Sequence, residues 1–351
     1  MKTTTHAADL LHAGLTIPAH PLALHEDRTF DERRQRALTR YYLAAGAGGL
    51  AVGVHTTQFS IRHPDVALYE PVLRAASEVV TAEDAEGRVL MVAGVSGPLT
   101  QAVAEATTAA SLGYDAILLA PNDTAAMSED DLLARTRAVG DVLPVIGFYL
   151  QPAVGGRILG RDYWRRLADI DAVIGVKLAP FDRYRTIEAI SGIEASGRAR
   201  RIALYTGNDD SIVADLLTDF PSSDTSASRR FVGGLLGQWA VGTRSAVDLM
   251  GRIARARGGE LQLYPELMRD AAALTDINSA VFDAANAFAG SIAGVNEVLY
   301  RQGLLAGSWC LEPHEVLSHG QSAALDRVLA AYPSLTDTEF VQENVDRWLD
   351  G

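Results

Sequence analysis

The chain has 351 residues, of which 48% are hydrophobic and 21% charged, and a formal net charge of −13. That apolar fraction fills a sizeable core and argues against disorder. The negative charge opposes non-specific binding to nucleic acid or an anionic membrane surface, while leaving room for an anionic small substrate in a cleft with its own local sign.

The N-terminal stretch Met1 to Asp9 has no uninterrupted apolar core ahead of a small-residue cleavage site. No apolar run reaches the roughly 18 residues of a membrane helix. Cys310 is the single cysteine, so neither an internal disulfide nor a Cys-rich metal cluster can form. These features lead us to expect a cytoplasmic protein.

The first strand is expected over residues 14–21. A helix over residues 31–45 follows, with Gly46 as its C-cap. Further strands are expected over residues 49–54, 89–95, 116–120, 144–150, 173–178, 202–206 and 231–236. These short, continuous apolar runs fit strands buried on both faces of a parallel sheet. Helices are expected between them over residues 98–112, 128–139, 160–168, 184–194 and 209–220. The second of these opens on Ser128 with Asp131 three residues on, a variant of the capping box. The polar stretch 222–228 reads as a surface loop.

Eight strands with interposed helices predict an α/β fold, a (β/α)8 TIM barrel over residues 1–258. A doubly wound sheet would carry a glycine-rich turn after its first strand; here that segment reads His25-Glu26-Asp27-Arg28-Thr29. Residues 259–351 read as a C-terminal helical region, with helices over 264–275, 279–302, 313–332 and 336–349.

In such a barrel the active site lies at the C-terminal strand ends. Lys177 is the sharpest candidate there. Lys and Arg together number 31, yet Lys2 and Lys177 are the only lysines. A buried lysine loses its proton and becomes a nucleophile, which arginine does not. The structural alternative is an ion pair with Asp209 or Asp123. Tyr149 ends the preceding strand, and its phenol is expected to relay protons on the lysine side. Thr56 and Thr57 offer hydroxyls for a carboxylate, and His55 is a polar neighbour. Asn122, Asp123, Gln151 and Asn208 complete the rim as partners for substrate groups. No second histidine at ligand spacing points to a metal site, and no cofactor is expected.

Val173-Ile174-Gly175-Val176-Lys177 resembles the Schiff-base strand of the dihydrodipicolinate synthase / N-acetylneuraminate lyase family of class I aldolases. Tyr149-Leu150-Gln151-Pro152 is similar to that family's tyrosine strand, and Gly53-Val54-His55-Thr56-Thr57 partly matches its Gly-Thr-Thr-Gly-Glu loop. The resemblance covers roughly residues 12–260. It implies that Lys177 forms an iminium with a 2-oxo acid such as pyruvate, and that Tyr149 relays protons. It also implies that Thr56 or Thr57 holds the carboxylate and that an aldehyde is joined or released. Homo-oligomers, dimers or tetramers, are implied too. A dehydratase of a 2-oxo sugar acid uses the same iminium and is the near alternative. The loop continues Gln58-Phe59 rather than Gly-Glu, no tyrosine follows the fourth strand, and Arg157 comes late after Pro152. Two other classes compete: a metal-dependent barrel enzyme using Asp123, Asp209 and Asp210, and a non-catalytic binder on the same scaffold.

Overall fold

The computed structural model describes residues 4–84, 86–220, 222 and 228–351. Residues 223–227 of the polar loop expected at 222–228 lie outside the described residues. The strands are β1 (Thr16–Pro18), β2 (Gly49–Val52), β3 (Leu90–Val95), β4 (Ala116–Leu119), β5 (Val145–Leu150), β6 (Val173–Ala179), β7 (Ala203–Thr206) and β8 (Phe231–Leu236). They form one sheet in the order β1-β8-β7-β6-β5-β4-β3-β2. A parallel bridge between Ala19 and Ala51 joins the ends of that order. The result is the (β/α)8 barrel expected from the sequence. Every strand residue except Val232 is buried, which is why the strands read as continuous apolar runs instead of alternating ones.

Contacts along the chain define two compact units, the described residues of Met1–Leu15 with Leu90–Leu235, and Thr16–Val89 with Leu236–Gly351. In the first unit, β3 to β8 pair in parallel succession. A helix Thr4–Ala13, which the sequence reading did not include, packs there as well. The Tyr205 hydroxyl donates to the Leu11 carbonyl at 2.7 Å and accepts from the Leu15 N–H at 3.0 Å. The helix Glu129–Gly140 starts at the expected Ser128/Asp131 capping box.

In the second unit, the helix Glu32–Ala45 is capped by the Asp31 carboxylate and by Gly46 at φ 90°. Helices Tyr69–Glu83 and Thr243–Arg257 are additions to the sequence reading. The C-terminal helices have other bounds than expected: the first, expected over 264–275, runs on to Val281, and the others are shorter. The predicted helix over 279–302 does not exist as one piece: Tyr264–Val281 ends, and Ser291–Arg301 begins anew. Between them Asp283, Ala287 and Phe288 adopt φ of 56°, 51° and 68°, a left-handed backbone that no α-helix continues through. The Asp283 carboxylate holds this bend by accepting from Asn286 Nδ2 at 2.6 Å and from the Gly290 N–H at 3.0 Å. The region predicted as helix over 313–332 is helical only from Gln321 to Ala331, after Gly320 at φ 83°. The last predicted helix divides into Thr338–Gln342 and Val345–Asp350.

Candidate active site

Strand register decides which side chains share a face, because directly opposed residues in a sheet point the same way and the next residue points the other. Phe148 is opposite Lys177, and Lys177 is opposite Tyr205. These three therefore share one face in the first unit. Lys177 is only 8% exposed, and its Nζ lies 4.4 Å from the centroid of the Phe148 ring. Burial lowers its pKa from 10.5 to about 8, partly offset by the negative charge of Asp209. Gly207 follows β7, and a Cβ built there would collide with Lys177 Cε and lie 2.8 Å from Ala179 Cβ. The missing side chain at position 207 is the space in which the lysine lies.

Tyr149 is not beside the lysine. It is opposite Leu178, on the other face of the sheet. Its ring packs 4.9 Å from that of Trp164 on the helix Arg161–Ala168. Gly147, two residues earlier on that same face, would carry its Cβ 2.7 Å from Leu167 of the same helix. The Tyr-x-x-Pro spacing matched, but a one-residue offset within the strand turns the phenol to the helix layer and brings Phe148 over the amine. The proton relay expected of Tyr149 is corrected accordingly.

Asn208 also has a different task from the one expected. Its Nδ2 donates to Asp215 Oδ2 at 2.9 Å and to Thr186 Oγ1 at 3.3 Å, and its Oδ1 accepts from the Phe181 N–H at 3.1 Å. Thr206 Oγ1 donates to the same Asp215 oxygen at 2.6 Å, and Arg183 pairs with the other. Burial pushes the Asp215 carboxyl up, partly offset by Arg183 and these donors. Asn208 thus joins the loops after β6 and β7, with both ends of its amide engaged.

Asn122 stays a candidate. It is buried, its Nδ2 donates to Asp123 Oδ2 at 3.0 Å, and its Oδ1 is buried without a hydrogen-bond partner among the described residues. Asp123 itself is exposed, at φ 59°. Gln151 is buried, and its carbonyl closes the turn after β5 by accepting from the Gly156 N–H at 3.0 Å. Arg157 is spent on backbone, donating to the carbonyls of Thr124 and Met127 at 3.3 and 2.8 Å. Ser96 was missed by the sequence reading. Val95 is opposite Leu119, and Leu119 is opposite Gly147. Continuing each strand by one residue puts Ser96, Ala120 and Phe148 on the lysine face. Ser96 is fully buried, and its Oγ has no partner among the described residues. A buried hydroxyl without a partner costs about 1–3 kcal/mol, which is a reason to look for a ligand. The signal in the sequence was its place one residue past a strand end.

The threonine pair lies in the second unit, on a single 3-10 turn, His55–Thr57, after β2. Thr57 Oγ1 donates to the His20 carbonyl at 2.6 Å and accepts from the N–H groups of Gly53 and Val54 at 2.9 and 3.2 Å. Thr56 Oγ1 donates to the Ala19 carbonyl at 2.9 Å. Both hydroxyls pin the loop to the segment after β1, and the oxygen of Thr57 is saturated. His55 is half-buried, its ring 5.8 Å from that of Phe59. Gln58 sits at φ 68°, accepts from the Leu311 N–H at 2.6 Å, and leaves its buried Nε2 without a partner among the described residues. A Cβ at Gly237 would lie 3.1 Å from Phe282 and 3.7 Å from Thr56 Cγ2.

Among the described residues, no three His, Cys, Asp or Glu side chains converge as a metal-binding group, which leaves the metal-dependent reading without a ligand set. No helix among them is long and apolar enough to cross a membrane.

The profile of the dihydrodipicolinate synthetase family matches residues 14–332. Streptomyces coelicolor has a protein named "Probable 5-dehydro-4-deoxyglucarate dehydratase 2" that is 32% identical over 178 residues, covering 50% of this chain and 52% of that protein. A 4-hydroxy-tetrahydrodipicolinate synthase from Aromatoleum aromaticum is 32% identical over 203 residues, 55% of this chain and 63% of that one. The chain thus spans about half to two-thirds of the length of these relatives. Among solved structures, dihydrodipicolinate synthase from Oceanobacillus iheyensis superposes with a TM-score of 0.73 at 18% identity, over 93% of this chain and 99% of that one. N-acetylneuraminate lyase from Fusobacterium nucleatum gives 0.70 at 15%, over 92% and 99%. At those identities the likeness is one of fold.

Proposed function

The chain belongs to the dihydrodipicolinate synthetase family, and from that premise we propose that it is a class I lyase that forms a Schiff base between Lys177 and a 2-oxo acid. The observation that carries the reading is the one internal lysine of an arginine-rich chain, buried near the end of β6 with its pKa depressed to about 8. A neutral fraction of roughly a tenth at pH 7 follows from that value, against well under a thousandth for an ordinary lysine. The neutral amine attacks the 2-oxo carbon, the carbonyl oxygen leaves as water, and the iminium draws electrons from the bond that breaks at the neighbouring carbon. In the aldolase direction an aldehyde is joined or released.

A dehydratase acting on a 2-oxo sugar acid is the second reading. It is favoured by Ser96 Oγ and Asn122 Oδ1, two buried atoms without hydrogen-bond partners among the described residues that suit substrate hydroxyls, and by the name of the Streptomyces coelicolor relative. Gln151 is proposed as a further rim contact. We place the protein in the cytoplasm as a homo-oligomer, dimer or tetramer, without nucleic-acid or membrane partners. The test is a turnover screen with pyruvate plus aldehydes and with sugar 2-oxo acids, on the wild type and Lys177→Ala. Turnover that vanishes in the variant supports the reading, and the substrate consumed separates aldolase from dehydratase. Tight binding without turnover marks a binder, and activity that survives Lys177→Ala contradicts the mechanism.

A further inference from the structure

Phe148 is the direct register partner of Lys177, is buried at 5% exposure, and presents its ring 4.4 Å from Nζ. The face of an aromatic ring carries negative potential and attracts a cation most strongly where water is excluded. The neighbouring phenol of Tyr149 points to the helix layer, so the side chain over the amine has no proton to give or accept. Two other groups face this nitrogen. Asp209, in the turn after β7, supplies negative charge. Tyr205, the partner on the other side, has its hydroxyl tied to Leu11 and Leu15.

We infer that Phe148 is a catalytic residue whose ring face stabilises positive charge on the Lys177 nitrogen, first as ammonium and then as iminium. The inference rests on the Schiff-base reading for its second half only. In that step the amine nitrogen bonds to the 2-oxo carbon, and the carbonyl oxygen departs as water carrying one amine proton and one proton from solution. The nitrogen keeps one hydrogen and a full positive charge. The ring favours this cation over the neutral amine before it and the neutral enamine after it. It thereby favours formation of the iminium from the amine and the ketone.

The chain's two lysines make the test direct. Lysine labelled with carbon-13 at Cε gives one NMR signal for Lys2 and one for Lys177, so the titration of Lys177 is read without any substrate. Phe148→Leu keeps apolar bulk but removes the ring, and Phe148→Tyr keeps the ring. The expected result is a midpoint lowered by about one pH unit in Phe148→Leu, a tenfold loss of proton affinity, and a midpoint within about 0.3 unit of wild type in Phe148→Tyr. Reduction of the pyruvate adduct by borohydride should slow about tenfold in the first variant and recover in the second. An unmoved midpoint in Phe148→Leu overturns the inference. So does a raised one, because water replacing a mere filler raises the value. If wild type forms no adduct, the Schiff-base reading fails, and the titration still decides whether the ring holds charge on the amine.

Discussion

At the scale of single residues the account turns on Lys177, and two predictions belong there. A lysine whose folded pKa is about 8 against an ordinary 10.5 binds fewer protons when folded. Stability therefore rises with pH between those values. Below pH 8 the buried charge costs the fold roughly 3 kcal/mol, and above 10.5 it costs nothing. Lys177→Met should accordingly raise Tm at pH 6 to 7, lose that advantage near pH 11, and abolish turnover. A Tm gain independent of pH would show that charge burial is not the cause. Gly207→Ala probes the space beside the amine. It strikes the flexible Lys177 Cε and also lies 2.8 Å from Ala179 Cβ, which is fixed to its strand, so the lysine moves and β6 must give as well. Stability should fall by about 1–3 kcal/mol while adduct formation falls ten- to a hundredfold, the usual effect of displacing a reacting group by about 1 Å. An unchanged adduct rate would mean that the amine has room elsewhere.

The same scale shows what was legible in the sequence. The burial of Lys177 late in a strand was, because its apolar neighbours and strand position both pointed to it. Tyr149 was not, because a motif gives spacing while the face depends on register, and one residue of offset inverts it. Asn208 looked like a free polar group at a strand end. Only the fold brings Asp215, Thr186 and the Phe181 N–H around it. Ser96 carried only the weak signal of standing one residue past a strand end, and its burial is what distinguishes it.

At the scale of elements, the strands were readable because burial on both faces leaves no polar residue to blur them. The C-terminal helices were misjudged in length because their ends are set by backbone at positive φ in Asp283, Ala287 and Phe288, residue types that carry no such instruction. One tertiary cap is similarly invisible in sequence. Asp337 is buried and accepts from the N–H groups of Arg244 and Ser245 at 2.6 and 3.0 Å, at the start of the helix Thr243–Arg257. It also accepts from the hydroxyls of Ser245 and Tyr41 at 2.7 and 2.6 Å. Removing it strands several buried donors at once. Asp337→Ala should cost about 2–4 kcal/mol in urea unfolding, and a loss below about 0.5 kcal/mol would refute its role as the cap.

At the scale of the whole molecule, the barrel and the family are secure, and substrate choice is the open chemical question. The net charge of −13 does not hinder an anionic 2-oxo acid on the proposed reading, in which Lys177 lends the cleft a local positive charge. The covalent step is the claim on which the rest depends. The most direct measurement is to incubate the protein with pyruvate and sodium borohydride, weigh it intact, and map the modified peptide. The account predicts one reduced adduct, located on Lys177 and absent from Lys177→Ala. If neither pyruvate nor a sugar 2-oxo acid leaves an adduct there, the Schiff-base mechanism is contradicted.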